Sequence, residues 1–344
     1  MRLNAKYFDL KEKVIIVAGA NGLLGQECVE GFISQNSIVI GLDNESIKRK
    51  ETDNYIHIIC DLTDFDETEK TMLSIVDQYK KIYAMVNTAY PRTKDWGRTF
   101  LEEDIKYFNS NVIGTLNVLE LSKKTKIKKL IYAASASCYG IPEKYPTNEN
   151  SKINPQYPYA LTKNIGEQLI LHWGKIYNMP NISLRFFNAY GPKSRTTGAY
   201  GAVFGVFLAQ KLANQPLTIV GDGTQTRDFI HVFDLVEAII TVATKAKNNQ
   251  IFNVASGKET SVNQIAEIIG GDKISIPKRP SEPDRSLADI TKISSELNWQ
   301  PKISINQGVK MMLQIIKDWK DAPVWTPESI NEATKNWFKY LGKN

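Results

Sequence analysis

Short β-rich runs alternate with amphipathic stretches through the first 190 or so residues of this 344-residue chain. The runs fall at 14–18, 37–42, 55–60, 83–88, 129–134 and 182–187, with helical patterns near 23–34, 65–80, 102–122 and 157–177 between them. A strand followed by a helical crossover returns to pair in parallel, and parallel strands need helices on both faces to bury them. The fold expected is therefore α/β, a doubly wound parallel sheet, and ligands of such sheets sit at the carboxyl ends of the strands.

A chain of this length exceeds what one core usually organises, so two lobes are expected. After residue 190 the pattern loosens. "AYGPKSRTTGAYG" and "KISIPKRPSEPDRS" read as loops, separated by helical stretches and one further strand at 250–254. The expected division places 1–187 and about 228–255 in the sheet domain, and about 188–227 and 256–344 in a smaller C-terminal α/β substrate-binding lobe. The tail, 322–344, carries Trp325, Ile330, Trp337, Phe338 and Leu341 and reads as a helix packed on the surface.

Composition removes several function classes. The 43 basic residues exceed the 37 acidic ones by only six, spread along the chain, so no nucleic acid partner is expected; a mild positive balance still suits an anionic small substrate. The tightest basic cluster, from Lys123 to Lys129, lies where a helix should end, where cations suit the helix dipole. Cys28, Cys60 and Cys138 form neither a metal spacing nor an even disulfide set, and no metal is expected. No run reaches the ~18 apolar residues of a membrane span, and "MRLNAKYFDLKEK" lacks a signal-peptide core, which predicts a cytoplasmic protein with no membrane partner.

"VIIVAGANGLLGQE" places Gly19, Gly22 and Gly25 between the first strand and the first helix. Glycines let backbone turn tightly against a pyrophosphate, and the helix N-terminus offers free N–H groups and a favourable dipole. Asp43 ends the second strand 18 residues after Gly25. A carboxylate there accepts from ribose hydroxyls and repels a 2′-phosphate, which favours NAD over NADP and a Rossmann-type sheet. Asp61, ending the third strand, is expected to reach the adenine amino group, or else to cap the next helix. Beside these, Asn21, Leu23, Leu24, Asn44, Leu62, Thr88, Ala89 and Phe187 complete the candidate cofactor-binding set at the strand ends, together with Tyr159 and Lys163.

Tyr159 and Lys163 are four apart at the start of a helix and share a face. A phenol, with a reference pKa of ~10, is a poor base near neutrality. A neighbouring ammonium stabilises its phenolate and makes it one. Ser135 ends the fifth strand 24 positions before Tyr159 and is expected to hold the substrate oxygen.

With "GANGLLG", "YALTK", "NSNVIGTLNVLE", "RFFNAYGP", "GDGTQTRDFIHVFDL" and "LADITKISSELNWQP", the chain resembles the extended short-chain dehydrogenases/reductases, in particular the nucleotide-sugar epimerases and dehydratases, over nearly its whole length. The resemblance implies a catalytic tetrad of Asn111, Ser135, Tyr159 and Lys163. It also implies diphosphate contacts from Asn188, Arg227 and Arg279, Ser137 as a further substrate contact, and a substrate that is a nucleotide-diphosphate sugar, foremost a UDP-sugar. Dehydratases of the family carry Asp-Glu directly after the Ser or Thr; this chain has Ala136 and Ser137. The glutamate that the family's decarboxylases tend to carry in this segment is missing as well. What remains is a 4-epimerase working through a transient 4-keto sugar. Ser286, small at a position where similar 4-epimerases gate the C2 substituent, favours UDP-N-acetylglucosamine/UDP-N-acetylgalactosamine, with UDP-glucose/UDP-galactose next. The alternatives are a nucleotide-sugar dehydrogenase or 4-keto reductase, a 4,6-dehydratase, and last a non-catalytic NAD-binding regulator.

One segment departs from the family. "NTAYPRTKDWGRTF" looks more like the simpler reductases of the same superfamily, and Tyr90, Arg92 and Trp96 are expected to meet an unusual substrate or to pack the loop. The resemblance also implies a homodimer through the helices near 102–122 and 157–177, with Ile105, Phe108, Leu116, Leu169, Trp173 and Ile176 as the apolar candidates. Surface-polysaccharide precursor synthesis is the pathway it suggests.

Overall fold

The computed structural model describes residues 8–46, 51–91, 104–192, 194 and 203–342. Six strands appear where the alternation predicts them: β1 (Val14–Ala18), β2 (Ile38–Asp43), β3 (Tyr55–Ile59), β4 (Ala84–Asn87), β5 (Leu130–Ser135) and β6 (Asn181–Phe186). Between them run α1 (Leu23–Ile33), α2 (Phe65–Tyr79), α3 (Asp104–Phe108), α4 (Gly114–Lys124) and α5 (Pro158–Tyr177). Bounds differ from the expected ones by one or two residues, the usual uncertainty at element ends.

The chain continues through β7 (Asn188–Tyr190), α6 (Val203–Leu212), β8 (Leu217–Val220), β9 (Thr226–His231) and α7 (Val232–Lys245) before β10 (Gln250–Val254). β10 joins the first six strands in one parallel sheet of order β10-β6-β5-β4-β1-β2-β3. Strand order reverses between β1 and β4, and a crevice opens at their carboxyl ends.

Alternation along β1 divides the core. Ile15 and Val17 pack with Cys28, Val29 and Phe32 of α1 and with Leu235 and Ile239 of α7. Val14, Ile16 and Ala18 point to the other face, against Met72 of α2, Val118 of α4 and Ile170 of α5. All five residues of β1 are buried, as a central parallel strand requires.

Beyond β10 come β11 (Glu259–Ser261), α8 (Val262–Ile269), β12 (Lys273–Ile276), α9 (Thr291–Leu297), α10 (Ile305–Gln314) and α11 (Pro327–Leu341). A third core gathers Phe204 and Phe207 of α6, Leu217 and Ile219 of β8, Ile265 of α8 and Met312 of α10. This part holds more strands than the sequence pattern leads one to expect. β12, at the start of the supposed loop "KISIPKRPSEPDRS", pairs in parallel with β8. Its first three residues are exposed and only Ile276 is buried, so no alternation marks it.

The stretch expected as one helix over 102–122 is also different. Its described part, from 104, is α3 and α4 joined by a π-turn, Asn109–Ile113. Among the described residues, no helix is long and apolar enough to cross a membrane, and no cluster of His, Cys, Asp and Glu could hold a metal.

Candidate active site

A cleft of about 470 Å³ opens along the carboxyl ends of the central strands. At one end is the glycine turn. Gly19 leaves β1 with φ +77, and a Cβ on it would lie 2.7 Å from the Ala89 backbone. A Cβ on Gly25 would fall 2.0 Å from the Gly19 carbonyl, so the first turn of α1 closes onto the loop only because none is there. Gly22 caps α1, and Gly22, Leu23, Leu24 and Gly25 line the cleft.

The neighbouring strand ends are tied to this turn. Asp43 Oδ2 accepts from the Asn21 amide at 2.9 Å, and Asn21 Nδ2 donates to the Glu45 carbonyl at 2.8 Å. Thr88 Oγ1 donates to the Ala18 carbonyl at 2.7 Å and lines the cleft, while the Ala89 amide donates to Asn87. Asn44 is exposed beyond β2. Asp61 Oδ1 accepts from the Thr63 amide and hydroxyl at 2.9 and 2.8 Å, and Leu62 is buried beside it. The cap of α2 is not Asp61 but Asp64, which accepts from Glu67.

At the middle of the cleft Ser135, Tyr159 and Lys163 line one wall. Ser135 ends β5 and caps a short 3₁₀ turn, Ala136–Tyr139, its Oγ accepting from the Ser137 hydroxyl at 2.8 Å. Pro158 stands at the start of α5, where its missing N–H costs nothing, and this sets Tyr159 and Lys163 on the cleft-facing side of the first turns. Lys163 is 5% exposed and donates to the Ala133 carbonyl at 2.9 Å. Burial pushes its ammonium down to about 7. Desolvation disfavours the buried ammonium, so the positive charge beside the phenol is more easily lost than that of an exposed lysine.

Asn111 occupies the π-turn and is 1% exposed. It does not line the cleft; Nδ2 donates to Thr162 Oγ1 at 3.0 Å, and Thr162 in turn donates to the Tyr159 carbonyl at 2.9 Å. Its Oδ1 has no hydrogen-bond partner among the described residues. Tyr90 packs edge-on against Tyr159, ring centroids 5.5 Å apart, and its hydroxyl donates to Tyr107 at 3.3 Å. Arg92 and Trp96 lie outside the described residues.

At the far end Phe187, Asn188, Arg227, Arg279 and Ser286 line the cleft, and so does Ser137 nearer the middle. The Glu282 carboxylate stands between the two arginines, 3.2 Å from Arg227 Nη2 and 3.8 Å from Arg279 Nη1. Asn188 Nδ2 donates to the Asp228 carbonyl at 3.3 Å.

A family model described as "NAD dependent epimerase/dehydratase family" matches residues 15–255. The chain belongs to this family. It is 34% identical over 314 residues to a Methanocaldococcus jannaschii protein provisionally named a UDP-glucose 4-epimerase, an alignment covering 89% of this chain and 99% of that one. Its structure is similar to that of UDP-glucose 4-epimerase from Thermotoga maritima with UDP-glucose, at a TM-score of 0.77 and 27% identity over 89% of this chain and 99% of that one. It is likewise similar to UDP-N-acetylglucosamine 4-epimerase from Methanobrevibacter ruminantium in complex with UDP-N-acetylmuramic acid, at a TM-score of 0.78 and 26% identity, again over 89% and 99%.

NAD is the cofactor of the epimerase/dehydratase family, and the residues here fit it. A cradle that any Cβ at Gly19 or Gly25 would fill faces the N-terminus of α1, and a carboxylate stands at the end of β2. Sequence reasoning misses what supports the site from below. Arg185 of β6 and Glu167 of α5 form a buried, forked ion pair, with Nη2 to Oε1 at 2.6 Å. Arg185 Nη1 also donates to the Tyr139 hydroxyl at 2.8 Å, and that hydroxyl donates to Asn253 at 2.7 Å. The network fastens the helix of Tyr159 and Lys163 to the turn after Ser135. An arginine inside the otherwise apolar "ISLRFF" is the available signal, since a buried guanidinium needs a carboxylate.

Proposed function

We propose that the protein is an NAD-dependent UDP-sugar 4-epimerase, with UDP-N-acetylglucosamine/UDP-N-acetylgalactosamine as the leading substrate pair and UDP-glucose/UDP-galactose next. The observation that carries this reading is one cleft in which Ser135, Tyr159 and Lys163 stand between the glycine turn and two arginines. Neither Ala136 nor Ser137 supplies the acid and base that eliminating water would need.

Bound NAD would supply a hydride acceptor, and the 4-keto sugar turns over before the hydride returns to its other face, so C4 inverts with no net redox change. Ser135 Oγ orients the sugar C4 oxygen, and Tyr159 removes the C4 hydroxyl proton and later gives it back. Lys163, titrating near neutrality, adjusts the charge beside that phenol as the proton moves. Asn111 acts through Thr162 and the first turns of α5 as a positioning residue. Arg227, Arg279 and Asn188 hold the diphosphate, with guanidinium forks matched to phosphate oxygens, and Glu282 yields its place between the arginines. Ser286 leaves room for a C2 substituent, and Tyr90 shapes the pocket at Tyr159.

On this reading, 1–187 with about 228–255 serves NAD, and about 188–227 with 256–344 serves the UDP-sugar. We further propose a cytoplasmic homodimer through α3, α4 and α5. The exposure of Ile105, Phe108 and Ile176 supports that face, whereas Leu169 and Trp173 pack against the sheet core. The test is proton NMR of the purified protein with UDP-N-acetylglucosamine and no added cofactor. New anomeric signals of UDP-N-acetylgalactosamine are expected. No conversion of any UDP-sugar, with NAD⁺ added, overturns the reading, and stoichiometric NAD(H) consumption replaces it with one-way redox chemistry.

A further inference from the structure

The tail expected to lie on the surface reaches the cleft instead. On α11, Ile330, Thr334 and Trp337 are spaced i, i+4, i+7 along one face, and all three are buried. Ile330 and Trp337 form part of the cleft wall, packed with Ile276 of β12 and against Val220 at the end of β8. Trp337 Nε1 donates to the Pro280 carbonyl at 2.7 Å, on the residue directly after Arg279. The Trp337 ring lies 6.2 Å from that of Tyr157, which is stacked on Tyr159 at 6.3 Å and 14°. Two ring contacts therefore separate α11 from the reacting phenol, and one hydrogen bond links it to the arginine end. The approach to the helix is fastened as well: Gln210 of α6 donates to the Trp325 carbonyl at 2.7 Å, and Thr326 closes a capping box with Ser329.

We propose that Trp337 is a positioning residue for nucleotide-sugar recognition, acting through the 277–290 segment that carries Arg279. This rests on the UDP-sugar reading above and deepens it. Two physical roles meet in one side chain. Its ring, 2% exposed, backs the cleft wall and packs with Ile276 and Ile330 behind the ligand-facing surface. Its N–H satisfies the Pro280 carbonyl in the 277–290 stretch, beside Ser281, which holds the left-handed region at φ 56, and ahead of Asp284, whose carbonyl accepts from Thr226 of β9 at 2.9 Å. That stretch carries Arg279, Glu282 and Ser286. Trp337 thus backs the cleft wall and holds the segment that meets the ligand.

The test compares Trp337→Ala, Trp337→Phe and Ile330→Ala with the parent as NAD-loaded enzymes, by turnover of the UDP-sugar and by calorimetric titration with UDP. Trp337→Ala is expected to raise KM about tenfold or more while kcat stays within about threefold and NAD content is unchanged. Trp337→Phe, which keeps a ring and loses the N–H, is expected to recover part of the affinity. Equal weakening for UDP and for the UDP-sugar places the segment that Trp337 holds against the nucleotide diphosphate; weakening confined to the UDP-sugar places it against the hexose. If Trp337→Ala does not fold, Trp337→Phe and Ile330→Ala decide by the same split between KM and kcat. An unaltered KM in a variant of an enzyme that does epimerise removes this proposal and leaves the function standing. A parent that turns over no UDP-sugar, yet binds UDP about tenfold more tightly than Trp337→Ala does, removes the epimerase reading and leaves Trp337 as a support of the ligand site.

Discussion

The two ends of the cleft are built differently. At the glycine turn the ligand-facing surface is largely backbone, held by a parallel sheet and by the closeness of Gly25 to Gly19. At the far end it is side chains on loops and short strands, fixed by individual polar contacts. Asp228 alone accepts from the amides of Ser256, Gly257 and Ala288 and from the Ser256 hydroxyl, while Arg285 forks onto Glu259 at 2.6 and 2.7 Å. A backbone cradle recognises what every ligand of the family shares. A wall of side chains can be rebuilt one residue at a time, and that is where relatives of one fold can part over the sugar.

The largest effect is expected in the middle, at Lys163→Met. Turnover should fall on the order of 10²–10⁴-fold, because the phenol loses its charged neighbour. Stability should move the other way. In the folded chain Lys163 titrates at about 7 against an ordinary value of 10.5, so the unfolded state binds the proton more tightly. The penalty for the buried charge, up to roughly 5 kcal/mol, is fully present below pH 7 and fades as pH rises from 7 towards 10.5. Thermal melting of parent and variant should therefore show a gain at pH 7 that shrinks by pH 10. A loss of stability at both values would mean the lysine is not a strained group.

Next comes Arg185→Leu, which leaves the Glu167 carboxylate of α5 buried without its cation. A loss of about 3–5 kcal/mol is expected in denaturant unfolding, with NAD release rising as α5 loosens. A change under about 1 kcal/mol would show that the sheet half does not depend on this network. The smallest effect is expected at the far end, where Ser286→Tyr should leave stability nearly unchanged. It should shift the ratio of kcat/KM for N-acetylated over plain UDP-sugars about tenfold towards the plain ones. An unmoved ratio would break the contrast between a shared end and a selective end.

The same contrast governs how much of the molecule is legible in its amino-acid sequence. β1 to β6 and the glycine turn are legible because apolar, β-rich runs alternating with helical stretches and a strand–turn–helix junction leave strong local patterns. Ser135, Tyr159 and Lys163 are legible as candidates because they sit at a strand end and at the start of a helix, whereas Asn111, in the π-turn, is picked out only by the family resemblance. β7, β8, β9, β11 and β12 are not, since each is a short mix of polar and apolar residues outside the regular alternation with helices. The roles of Glu167, Arg185 and Asp228 depend on partners between 18 and 60 residues away, which no local window displays. Trp337 reads as surface packing for the same reason: its hydrogen-bond partner, Pro280, lies 57 positions upstream.

The π-turn at Asn109–Ile113 has a geometric consequence of its own. An α-helix advances about 100° per residue, and a turn closed one residue later inserts that much extra rotation. α3 is thereby out of phase with α4, so Ile105 and Phe108 face outward while Asn111 faces inward to Thr162 and Val118 reaches the sheet. Deleting any single residue from 109–113 would restore a regular helix and swing everything before it by roughly a quarter of a turn. Either the inward asparagine or the outward apolar pair would then have to leave its place. At this point the chain is a clockwork whose timing depends on the number of residues, quite apart from which residues they are.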